Sequence, residues 1–113
     1  MTDPRRAFVH EAELQLEPGT APAAVGAAVT TALCGHWKHV GPCRWPHNNT
    51  ADLCGAGTSF RTLFVAPAAE EGEVRDRIER VLREAQGWIV LETRKRPLGL
   101  REPPLARRLA GGH

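Results

Sequence analysis

Residues 7–16, AFVHEAELQL, alternate between two faces. Phe8, His10, Ala12, Leu14 and Leu16 share one face, and Val9, Glu11, Glu13 and Gln15 the other. This period of two predicts a half-buried strand with one solvated side. Glu17-Pro18-Gly19 ends it. Thr20 is a suitable N-cap, with Pro22 near the helix start. The spacing then widens to four. Val25, Val29 and Leu33 recur among alanines over 21–33, which predicts a small-residue helix packed closely on a sheet and ended at Gly35. Residues 36–40 are the best place for a short second strand, because Gly41-Pro42 turns the chain next. Pro46 to Gly57 reads as loop. Residues 58–66, TSFRTLFVA, are β-branched and aromatic, and predict a strand closed by Pro67. In 68–86, Val74, Ile78, Val81, Leu82 and Ala85 form one apolar helical stripe, and Glu70, Glu71 and Glu73 favour the positive end of its dipole. Glu73–Arg77, Asp76–Arg80 and Glu79–Arg83 are spaced as i,i+4 pairs on its outer face. Gly87 stops the helix, and 88–96, WIVLETRKR, is the last strand.

The expected order is β-α-β-β-α-β, an α+β domain over residues 1–96 with a Cys/His-rich insertion at 34–57 between the first helix and the third strand. It resembles the ferredoxin-like superfold, a split βαβ sandwich with two helices on one face of an antiparallel sheet. That fold hosts many unrelated functions, so function has to come from a site. Copper chaperones of this fold carry Cys-x-x-Cys after the first strand, where this chain has Leu16-Glu17-Pro18-Gly19. Residues 97–113 carry the breaks Pro97-Leu98-Gly99 and Pro103-Pro104 and room for one short helix, 105–109, and are expected to be a flexible or loosely attached tail.

Composition narrows the classes. At 113 residues with 42% hydrophobic and 25% charged residues, the chain is one globular domain. A net charge of +2 is too mild to argue for nucleic acid alone. Abundant Arg and Ala with two Lys and no Tyr suggest a GC-rich, bacterial coding bias. No apolar run is long enough to cross a membrane, and the charged start, MTDPRRAFVHEAELQLE, is unlike a leader peptide. A cytoplasmic location with reduced cysteines is expected, and three cysteines make a disulfide framework unfavourable.

Chemistry concentrates in one window. Between Cys34 and Cys54 lie all three cysteines and three of the five histidines, as C-x-H-x2-H-x3-C-x3-H-x6-C. Thiolate and imidazole are the ligands zinc prefers, and short spacings let neighbours converge on one ion. His36, His39, Cys43 and His47 form the first candidate set, with Cys34 and Cys54 behind them. Lys38 and Arg44 favour the thiolate form. In a regular strand His36 and His39 would face opposite ways, so a shared ion needs a turn there. A bound metal would also organise an otherwise long loop. The competing reading makes the cysteines small buried residues and the histidines ordinary hydrogen-bonding groups.

Trp37 and Trp45 suit plugs that hold this loop on the sheet, or alternatively a stacking platform. His10 is expected to be a satisfied core histidine, with reach of the metal as the alternative. A nucleophilic Cys43 activated by His39 or His47 lacks a third partner, so no enzyme is predicted. The leading expectation is a small cytosolic zinc-binding accessory or partner-binding protein. The alternative is a metal-free protein- or nucleic-acid-interaction module using an exposed Phe60 or Phe64 and Trp88 on the sheet face with the basic run Arg94-Lys95-Arg96 and Arg101, Arg107 and Arg108 downstream. An exposed sheet edge also predicts a homodimer.

Overall fold

The structure, a computed structural model, describes residues 5–34, 44–55, 57–99 and 102–111. The elements are β1 (Arg5–Leu16), α1 (Ala23–Cys34), β2 (His47–Cys54), β3 (Gly57–Pro67), α2 (Glu71–Glu84, after a 3-10 turn at Ala68–Glu70), β4 (Trp88–Arg96) and α3 (Pro103–Gly111). The class is α+β, with one four-stranded sheet in the order β2-β3-β1-β4. Every neighbouring pair is antiparallel.

The second strand is a correction. It runs over His47–Cys54, a stretch expected to be loop, while the expected strand at 36–40 lies outside the described residues. HNNTADLC has poor strand propensity, and its tertiary context makes it a strand. It pairs along β3 from His47↔Phe64 to Cys54↔Gly57. Its polar side chains also hold α1: Asn49 Nδ2 donates to the Gly26 carbonyl at 3.2 Å and to Thr30 Oγ1 at 3.3 Å, while Thr62 Oγ1 of β3 donates to Asn49 Oδ1 at 2.9 Å.

The predicted inner face of β1 is borne out. Ala12 and Leu14, with Phe8 and Leu16 partly buried, meet Phe60, Phe64 and Ala66 of β3 under the helices. Val25, Val29 and Leu33 of α1 and Val74, Ile78 and Leu82 of α2 close the core from above. Trp88 and Trp45 complete it, and Trp88 Nε1 donates to the Leu82 carbonyl at 2.9 Å. Gly87 turns the chain into β4 at φ +113, a conformation that favours glycine.

The opposite face is not simply solvated. Val9, on the side expected to face water, is fully buried with Leu63 beneath Ala106 of α3. The segment expected to be a loose tail therefore includes a docked helix. Its anchor is ionic as well as apolar: Arg61 binds Glu102 at 2.7 Å and Glu11 at 2.8 Å. Glu11 also binds Arg94 at 3.0 Å and Arg96 at 3.2 Å. Burial raises the Glu11 carboxyl, but hydrogen bonds from Arg94, Arg96 and Arg61 outweigh it and hold the group below its ordinary value.

β4 carries a bulge. Glu13 faces Glu92 and Leu14 faces Val90, which leaves Leu91 unopposed and exposed. The extra residue inverts the alternation of the strand. Trp88 and Val90 point into the core, but beyond the bulge it is Thr93 and Lys95 that pair with Ala12 and His10 on the helix side. Arg94 and Arg96 go to the outer side, onto Glu11.

Truncation after Pro97 is expected to expose Val9 and Leu63 and lower unfolding free energy by about 2 kcal/mol, at ~25 cal/mol per Å² of apolar surface. Urea denaturation of the two chain lengths measures it, and an unchanged midpoint would show that α3 adds nothing to the fold.

Candidate functional site

Three of the four first-ranked metal candidates, His36, His39 and Cys43, lie outside the described residues. The fourth, His47, opens β2. Its ring is fixed at both nitrogens: Nδ1 lies 3.0 Å from the Trp45 carbonyl and Nε2 3.0 Å from Thr30 Oγ1. A carbonyl only accepts, so Nδ1 carries the proton and Nε2 offers its lone pair to the Thr30 hydroxyl. Trp45 is itself buried, with Nε1 donating to Glu70 at 2.8 Å and the guanidinium groups of Arg44 and Arg77 over its ring at 4.4 and 4.9 Å. The expectation of a tryptophan plug thus holds for Trp45, while Trp37 lies outside the described residues.

The two second-ranked candidates lie at opposite ends. Cys34 is the last residue of α1 and Cys54 the last of β2. Contacts run from Gly26–Asn49 to Thr30–His47, so α1 descends as β2 ascends. Cys34 comes one turn after Thr30, at the His47 end. Cys54 lies about 23 Å up the strand from His47, at ~3.3 Å per residue, so these two cannot share an ion. Cys34 is disulfide-bonded. The expectation that all three thiols stay reduced does not hold in this structure, and a sulfur in a disulfide is no thiolate ligand. Disulfide Cα atoms must lie within about 7 Å, which puts Cys54 out of range of Cys34. Among the described residues, no three of His, Cys, Asp and Glu converge to hold a metal ion.

Part of the surface expected for a metal-free module is used internally. Phe60, Phe64 and Trp88 are core residues, which corrects the expectation of a stacking face. Arg94 and Arg96 are bound by glutamates: Glu13 at 2.7 Å and Glu92 at 3.1 Å join Glu11 on Arg94. No helix among the described residues is long and apolar enough to cross a membrane.

A second constellation, not foreseen as a site, surrounds His10. This side chain is 4% exposed. Arg75, a buried guanidinium on α2, lies over the rings of Phe8 and Phe64, donates to the Val9 carbonyl at 2.9 Å and to His10 Nδ1 at 3.0 Å, and pairs with Glu71 at 2.8 Å. Arginine can only donate, so Nδ1 is the acceptor and neutral His10 carries its proton on Nε2. That N–H has no hydrogen-bond partner. Glu79 Oε1, 3.7 Å away, instead accepts the Thr93 hydroxyl. The expected satisfied core histidine is half satisfied, and its tautomer is the wrong one for a metal. Position 75, charged and next to the apolar stripe, was the only sequence sign of this arrangement.

Comparison with protein-family models, with curated proteins and with solved structures finds no match to this chain.

Burial lowers His10 to about 4, with Arg75 and Lys95 acting the same way and Glu79 opposing. The unfolded chain takes up this proton near pH 6.5 and the folded chain near 4, so falling pH favours unfolding between those values. Stability is expected to be full above about pH 6.5 and to fall by roughly 2 to 3 kcal/mol by about pH 4. Glu11 and Glu102, both lowered from 4.5, contribute only at the acidic end of this range. Denaturant midpoints from pH 7 to 5 should drop in the wild type and stay nearly level in His10→Gln. Parallel slopes would rule out His10 as the source.

Proposed function

We propose that this protein is a small metal-binding accessory or partner-binding protein, with zinc held by the 34–54 segment when its thiols are reduced. The observation that best supports this is the His47 ring. Its Nδ1–H is spent on the Trp45 carbonyl at 3.0 Å, the outer-sphere bond that metal-ligating histidines commonly make. Nε2 therefore carries the lone pair, which Thr30 Oγ1 engages at 3.0 Å near the last turn of α1 and which a metal ion would take over from that hydroxyl. His36, His39, Cys43 and His47 remain the donor set, three imidazoles and one thiolate that suit tetrahedral zinc. The disulfide at Cys34 withdraws a second-ranked donor, and in a reducing cytoplasm it opens. With four protein ligands the site is structural and the protein serves as a binding module; with one position open to water it gains reactivity.

The strand order, with helices after the first and third strands, supports the finer reading of a ferredoxin-like split βαβ sandwich. Self-association as a homodimer would use β2 or β4, the two edge strands.

Elemental analysis of tag-free protein purified without added metal tests the proposal. Reduced wild type is expected to carry about one zinc per chain, as a single tetrahedral site requires. Oxidised protein and Cys43→Ser should carry much less. Metal-free reduced wild type whose folding ignores a chelator would overturn it.

A further inference from the structure

The geometry points to a second site, in the cleft between α2 and β4, that binds the zwitterionic head of a free amino acid. The cleft has a volume of about 310 Å³ and is lined by Gly72, Asp76 and Glu79 of α2, with His10, Thr93 and Lys95 on the sheet. Arg75 and Arg94 also border it, but each is held elsewhere, Arg75 by Glu71, the Val9 carbonyl and His10, and Arg94 by Glu11, Glu13 and Glu92.

His10 lines the cleft, and its Nε2–H is buried without an acceptor. A buried donor without an acceptor costs about 1–3 kcal/mol, and a ligand acceptor recovers that cost. The tautomer set by Arg75 makes this group a donor only, which excludes a metal ion. Lys95 is the direct cross-strand neighbour of His10 and has no ion-pair partner among the described residues. His10 and Lys95 are therefore neighbours on the sheet wall. The other wall is acidic. Asp76 and Glu79 are spaced i,i+3 on α2, so they share a face. Asp76 has no ion-pair partner among the described residues, and Glu79 Oε1 lies 3.7 Å from His10 Nε2.

A simple anion at Nε2 would meet the Glu79 carboxylate, and a simple cation at Glu79 would meet Lys95. A molecule carrying both charges on adjacent carbons satisfies both walls, with its carboxylate accepting from His10 and Lys95 and its ammonium donating to Glu79 and Asp76. Gly72 leaves open space at the mouth, since a Cβ there would meet nothing within 4 Å, and the ligand's side chain can project that way.

The test uses the whole chain. Each of the twenty L-amino acids is titrated singly by calorimetry at neutral pH, and the best binder is compared with its desamino acid and its decarboxylated amine. The imidazole ¹⁵N resonances of His10 are followed throughout. Binding of the amino acid with a shifted His10 Nε2 resonance is expected, together with about tenfold weaker binding in both Lys95→Met and Asp76→Asn, each of which removes one charged hydrogen bond. Equal affinity for the desamino acid would overturn the zwitterion and leave a plain anion site. No binding by any of the twenty at about 10 mM, in the range of very weak affinities, would overturn the site altogether. Neither result depends on metal in the 34–54 segment.

Discussion

One extra residue in β4 decides what both faces of this sheet carry. Without the bulge at Leu91, Arg94 would continue the inner row begun by Trp88 and Val90 and would be driven against the helices. A charged group there would need its own partners. With the bulge, the arginines move outward to Glu11, and Thr93 and Lys95 move inward beside Ala12 and His10. The ion-pair hub that seats α3 and the polar cleft under α2 thus come from the same irregularity. Bulges recur where a side chain has to be re-aimed, and this one re-aims every residue from Glu92 to Arg96.

The second constraint is Arg75. A guanidinium buried in a 113-residue domain is tolerable only if its donors are satisfied, and the Val9 carbonyl, His10 and Glu71 satisfy them. That requirement sets the His10 tautomer and leaves Nε2–H buried without an acceptor, on a residue that lines the cleft. The contrast with His47 is instructive. Both are strand histidines on the helix side of the sheet, and each has one ring nitrogen fixed by a group of single polarity. A carbonyl fixes His47 as a lone-pair donor at Nε2, and a guanidinium fixes His10 as an N–H donor at Nε2. The proposed metal and zwitterion sites rest on these opposite tautomers.

Amino-acid order alone determined much of the architecture. The period-two pattern of β1, the stripe of α2 and the β-branched run of β3 are local, and each is long enough for its periodicity to outweigh its ends. It also placed six of the eight cysteines and histidines in one window. It could not reveal β2, because HNNTADLC becomes a strand only by pairing with β3 and hydrogen bonding to α1. It could not reveal that Val9 is covered, because the covering helix is 94 or more residues downstream and is drawn there by Arg61 and Glu102. The His10 cleft was equally hidden. Its groups come from three elements, and their meeting depends on the parity change at Leu91 and on the reach of Arg75 across the core. Periodicity reports which side of its own element a residue occupies; which charges meet across elements is decided by packing, where burial and satisfied hydrogen bonds select one arrangement.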